Sequence, residues 1–188
     1  MPTKKTYSQA ARVQEIFSKN TIPLESIKSI QVELTERAYD IVGQPQEIKF
    51  NPKNAVDGQF STPYSVAIAT LEKRALLDEY TDESVVRPDV NELMKKISVK
   101  HATDLDRFYP ESFPARVTVT TNDEKTFVKE VRYPKGDPQS PLTWDDLVRK
   151  FDYCSKGFSK KQKKEQIVEM VKNLDRVENI ADFTKLLK

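Results

Sequence analysis

The stretch from Asp57 to Leu71, DGQFSTPYSVAIATL, places the tightest limit on how this chain folds. Pro63 stands just after two possible N-caps, Ser61 and Thr62, where its fixed φ and missing N–H suit a first helical turn. Val66, Ala67, Ile68, Ala69 and Leu71 then point to nearly every side of that helix. A helix apolar almost all round is enclosed by protein, so other elements must wrap it. Tyr64 carries a phenol into the first turn, and a buried phenol needs a hydrogen-bond partner. A hydroxyl at the mouth of a buried helix is a place for a binding or catalytic group.

The elements that wrap it are read from periodicity. Ser8 caps a first helix to about Asn20, with Ala10, Val13, Ile16 and Phe17 on one face, and Ile22-Pro23 ends it. In Ile27–Thr35, Ile30, Val32 and Leu34 alternate with polar residues as a half-buried strand. Glu36 to Val42 reads as a short helix. Gly43, Pro45, Pro52 and Gly58 then mark a loop of about 18 residues, a length that often carries function. The Tyr64 helix runs to about Lys73. Pro88 opens another helix to about Lys96, and Ile97 and Val99 make a brief strand. Two clearer strands follow, one lined by Ala115, Val117 and Val119, the other by Phe127, Lys129, Val131 and Tyr133. Thr121–Lys125 joins them as a hairpin.

Beyond Pro141 the pattern is helical. Thr143 with Asp146 forms a capping box, with Leu142 and Leu147 as its hydrophobic staple. Leu147, Val148, Phe151 and Cys154 form an apolar stripe, Ser159 with Gln162 caps the next helix, and Ile180 to Leu187 makes a last one. The expected fold class is α+β: about four largely antiparallel strands packed with helices, followed by a C-terminal helical segment. Residues 1–140 form the α+β domain and 141–188 the helical segment, packing on it or on a partner.

Charge excludes several function classes. With 31 basic and 29 acidic residues among 188, the net charge is only +2, which gives no global field for a nucleic acid or an anionic membrane. No apolar run reaches the roughly 20 residues that span a bilayer, and no signal peptide is visible, so the expected location is cytoplasmic. The four glycines build no phosphate loop, and no cofactor is expected. His101, the single histidine, has no ligand partners at metal spacing, so no metal is expected either. Cys154 is read as a small core residue and Arg116 as a solvent-facing strand residue. Lys156, Lys160, Lys161, Lys163 and Lys164 read as a solvated helix start.

Three stretches together resemble the C-terminal domain of the MmgE/PrpD family, which includes 2-methylcitrate dehydratase and cis-aconitate decarboxylase. They are Asp57–Ala67, Tyr109–Val117 (YPESFPARV), and Tyr133–Pro138 followed by Pro141–Leu147 and Lys150-Phe151. The resemblance implies a carbon–oxygen hydro-lyase of propionate metabolism, 2-methylcitrate dehydratase-like, acting on citrate-type tricarboxylic acids. It also implies a large all-helical domain that supplies most of the acid–base residues, so the chain alone is expected to be inactive. A histidine-bearing segment usually opens the family's second domain. Here the matching region, Thr3-Lys4-Lys5-Thr6-Tyr7, has no histidine.

By that resemblance Tyr64 is the catalytic candidate, as acid or oxyanion donor, because it matches the tyrosine of the family's Phe-Ser-x-x-Tyr pattern. Gln59 and Ser61 are candidates for the same pocket, and Lys135 for holding substrate carboxylates. Dehydration of a citrate-type acid needs a base, an acid for the departing hydroxide and donors on the carboxylates, which one phenol cannot provide. The expected partner is therefore a helical domain on another polypeptide, or a second copy. The alternative is a non-catalytic, self-associating module or fragment derived from the same fold.

Overall fold

The computed structural model describes residues 4–157 and 160–187, with the side chains of 4–9 excepted. It divides into two compact units, Met1–Ser140 and Pro141–Lys188. In the first, helix α1 spans Lys4–Lys19 and begins four residues ahead of Ser8. Its Ala10, Val13 and Ile16 are buried, as their shared face requires. Strand β1 (Ile27–Leu34) and helix α2 (Glu36–Val42) follow.

The expected loop after Gly43 is instead broken by two helical turns, α3 (Gln46–Lys49) and α4 (Ala55–Gln59). Asn54 explains the second: its side-chain oxygen accepts from the Asp57 amide at 2.9 Å, a local cap inside a stretch punctuated by Pro and Gly. Helix α5 (Thr62–Glu72) starts at Ser61, whose Oγ accepts from the Tyr64 amide, and stops at Lys73 in the left-handed region, φ 56°. Every residue from Thr62 to Thr70 is buried. Short helices α6 (Asp82–Val85) and α7 (Pro88–Met94) lead to β2 (Ile97–His101), then α8 (Thr103–Asp106), β3 (Ala115–Thr121) and β4 (Thr126–Val131).

The strands form one sheet in the order β2-β1-β3-β4. β3 pairs antiparallel with β1 and β4, whereas β2 runs parallel to β1, so the sheet is mixed. The helical connection from β1 to β2 makes a parallel return possible. Ile30, Val32 and Leu34 are fully buried and sit level with Ile97 and Val99 on one side and Val119, Val117 and Ala115 on the other. α1 and α5 pack against each other on this apolar face, and α5 also meets α7 and β2. Each fully buried Ile or Val contributes about 1.5–3 kcal/mol, so this layer dominates the stability of the unit.

The opposite face is polar, and Arg116 is its centre. The strand register sets Arg116 level with Glu33 on β1 and Glu130 on β4. Its guanidinium donates to Glu130 at 2.8 Å, to Glu33 at 3.3 Å and to Asp104 at 2.6 Å. The expected solvated arginine is thus a clamp on three carboxylates, because strand pairing brings acids from distant segments to it.

The second unit holds α9 (Trp144–Cys154), α10 (Lys161–Lys172) and α11 (Ile180–Leu186). Thr143 and Asp146 form the expected capping box: Thr143 Oγ1 accepts from the Asp146 amide at 3.2 Å, and Asp146 accepts from the Thr143 amide at 2.9 Å. α10 starts beyond Lys160, and Ser159, the expected cap, lies outside the described residues. Leu142 and Leu147 are exposed, and so is Cys154, which is not the core residue its stripe suggested. Ile167 is the buried apolar residue of this unit among those described, so a stripe at helical spacing here does not mean burial.

Candidate functional site

Ser61 and Tyr64 are brought together by the start of α5. The Ser61 hydroxyl donates to the Lys49 carbonyl at 2.5 Å while accepting from the Tyr64 amide at 3.1 Å. It therefore ties α3 to α5 and has one remaining acceptor site. Tyr64 is fully buried, and its hydroxyl donates to the Glu79 carbonyl at 2.5 Å. Its ring meets Tyr80 edge-on, with centroids 5.5 Å apart, and Tyr80 in turn donates to Ser65 at 2.9 Å. Gly58 lies beside it, where a Cβ would come within 3.1 Å of the Tyr64 ring. Glu79 is itself held, its carboxylate paired with Arg74 at 2.5 Å and accepting from the Leu76 amide at 2.7 Å.

Burial, helped by the neighbouring Tyr80, pushes the Tyr64 phenol well above its ordinary range. Such a group stays protonated at any physiological pH, so its available chemistry is donation and not base catalysis. In the structure that donor is used by Glu79. The Thr3–Tyr7 segment, where the resemblance looks for a histidine, falls outside the described side chains.

The other two candidates sit apart from that phenol's hydrogen bond. Gln59 is half-buried at the last position of α4. Lys135 is exposed in the turn after β4, where Gly136 takes φ 96° and its amide donates to the Ser140 carbonyl at 2.7 Å. The short helices around the start of α5 expose Ile48, Val56, Phe60 and Val86. α3 and α4 contact each other and α5, and α4 contacts α6, so these side chains surround the entrance to the buried helix.

A groove of about 780 Å³ opens elsewhere, between the edge strand β2 and the Tyr39–Phe50 segment. Tyr39, Phe50, Ile97 and Val99 line it together with Gln46, Glu47, Lys100 and His101. His101 Nε2 lies 2.5 Å from Asp106, whose other oxygen accepts from the Glu36 amide at 2.9 Å. Sequence reasoning passed over this groove because its walls come from segments about fifty residues apart. Among the described residues no group of three or more His, Cys, Asp or Glu side chains could hold a metal, and no helix is long and apolar enough to cross a membrane.

The model of the MmgE/PrpD C-terminal domain matches residues 7–176. The chain belongs to the MmgE/PrpD family. It is distantly similar to cis-aconitate decarboxylases. The one from Aspergillus terreus (strain NIH 2624 / FGSC A1156) is 24% identical over 171 residues, covering 89% of this chain and 34% of the relative. The Mus musculus protein is 26% identical over 140 residues, covering 73% and 28%, and the Homo sapiens protein 23% identical over 185, covering 95% and 36%. The chain thus spans about a third of the length of these relatives. The MmgE/PrpD match runs through both compact units, from α1 to the segment after α10.

Proposed function

We propose that this chain forms one wall of a lyase acting on citrate-type tricarboxylic acids, with a helical partner domain supplying the base and the carboxylate-binding groups. The observation that carries this reading is the family match over residues 7–176, joined to relatives named for a tricarboxylate substrate. The exposed Ile48, Val56, Phe60 and Val86 around the start of α5 favour a partner seated there, which would bring its groups to the Tyr64 end of the chain. In that assembly Tyr64 is a neutral donor, either to the departing hydroxyl or to a developing oxyanion. To act so it must exchange the Glu79 carbonyl for a substrate oxygen. Ser61 positions the Tyr64 backbone, Gln59 closes the preceding helix α4, and Lys135 offers a cation for a substrate carboxylate.

The motif resemblance favours dehydration of a 2-methylcitrate-like acid. Decarboxylation of cis-aconitate is the second chemistry, favoured by the names of the relatives. The test is to combine the purified chain with a helical MmgE/PrpD domain and follow both acids, by absorbance of the unsaturated product and by carbon dioxide release. Turnover of either acid that is lost in Tyr64→Phe supports the proposal. Absence of any complex, or turnover indifferent to Tyr64→Phe, refutes it. A non-catalytic, self-associating role is the other reading, and the commitment of the Tyr64 hydroxyl to Glu79 favours it. That role predicts a stable oligomer of the chain alone, with no turnover in any mixture.

A further inference from the structure

β4 ends the sheet on the side away from β2, so it is an edge strand. The ladder fixes which of its backbone groups are free. At the hairpin the Thr121 amide donates to the Lys125 carbonyl at 2.9 Å. Antiparallel alternation then has Val119, Val117 and Ala115 exchange bonds with Phe127, Lys129 and Val131. The far side of β3 agrees. The Ile30 amide turns towards β2, donating to the Lys96 carbonyl at 2.9 Å, which leaves Gln31 and Glu33 to bond Thr118 and Arg116. The N–H and C=O groups of Thr126, Val128 and Glu130 therefore aim away from β3, and among the described residues nothing bonds them. All three residues are exposed, Val128 to 57%, so this edge is open. An unpaired, uncovered row of this kind is a template for another strand.

The sequence of β4 says which strand fits. Two-fold pairing of identical edges is antiparallel, and its register decides which side chains meet. Centred on Val128, it sets Val128 against Val128, Lys129 against Phe127 and Glu130 against Thr126 of the second copy. Lys129 is half-buried with its ammonium already held by Glu15 at 2.7 Å, and Phe127 packs half-buried against the core. Neither brings an unmatched charge to the seam. Centring on Lys129 would set that lysine against itself. Centring on Phe127 would set Lys125 against Lys129 and Glu124 against Glu130. Like charges directly opposite are destabilising, so the Val128 register is selected. In it the pairs Thr126–Glu130, Val128–Val128 and Glu130–Thr126 each exchange two main-chain bonds across an apolar centre.

We propose that the β4 edge pairs with the β4 edge of a second copy of this chain, antiparallel about Val128, joining two four-stranded sheets into one. The pairing is independent of the Tyr64 reading, because it uses neither α5 nor the surface around its start. A dimer made this way does not by itself favour the non-catalytic role. The contact is one strand wide, so the association is weak and reversible.

The test is sedimentation equilibrium of the whole chain from about 10 µM to 1 mM, with amide exchange read residue by residue by NMR. A reversible monomer–dimer equilibrium is expected. The Thr126, Val128 and Glu130 amides gain protection as the dimer forms, whereas those of Phe127, Lys129 and Val131 are protected at every concentration. Val128→Pro removes the central outward N–H and no bond to β3, so it weakens the dimer at least about tenfold with the circular dichroism unchanged. Val128→Lys and Val128→Glu, on an exposed side chain, each weaken self-association, and mixing the two restores a dimer of one copy of each. Three results overturn the proposal: a monomer throughout the range, a dimer whose Thr126, Val128 and Glu130 amides gain no protection, or a dimer indifferent to the Lys and Glu substitutions at Val128.

Discussion

Tyr64→Phe separates what the phenol does for the fold from what it does for chemistry. The substitution keeps the ring, its edge contact with Tyr80 and its volume, so no cavity forms. It removes one donor from the Glu79 carbonyl, in a residue that is itself buried. Losing a neutral hydrogen bond and leaving a buried acceptor bare costs about 1–3 kcal/mol. For a unit of this size each kcal/mol lowers Tm by roughly 2–8 °C, so a fall of several degrees is expected. Urea titration followed by far-ultraviolet circular dichroism measures it, with an unchanged slope showing that the unfolded state is the same. The pH dependence is a second handle. Burial raises the folded phenol's pKa above its ordinary value of about 10. The stabilisation is thus complete below about pH 10 and is lost as pH rises further, because only the unfolded chain ionises there. The gap between the protein and Tyr64→Phe should close as pH climbs past 10. A variant as stable as the parent at pH 7, or a gap that widens in alkali, would refute the reasoning.

Three further outcomes follow from the same geometry. Gly58→Ala places a Cβ 2.8 Å from a Val85 methyl and 3.1 Å from the Tyr64 ring, so overpacking should cost about 1–3 kcal/mol in urea, and adding Val85→Ala should recover part of it. Arg12 is buried, donates to the Val131 carbonyl at 3.0 Å and leaves Nε and Nη1 without partners among the described residues. Burial lowers its pKa to about 10, so Arg12→Met should be neutral or stabilising in thermal melts, and a loss above about 2 kcal/mol would contradict this. Thr143→Ala removes the capping box of α9 and should reduce the helix content or thermal stability of the second unit by about 1 kcal/mol, with the sheet unaffected by amide exchange.

Local order was largely legible from the chain of residues. Alternation in Ile30, Val32 and Leu34 gave β1, Ser61 and Pro63 gave the start of α5, and its lack of a polar face required the burial it has. These signals survive in sequence because caps, periodicity and proline geometry act over three or four residues. The MmgE/PrpD membership was legible too, through three motifs in order. Tertiary structure alone decided the rest. The parallel direction of β2, the three acids around Arg116 and the Glu79 carbonyl on the Tyr64 hydroxyl are all pairings between separate segments. The α3 and α4 turns were hidden among breakers, and Cys154 is exposed although Val148 and Phe151 on the same stripe are half-buried. Short-range sterics write themselves into neighbouring residues, whereas the partner of a buried hydroxyl or a strand edge exists only once distant segments have packed.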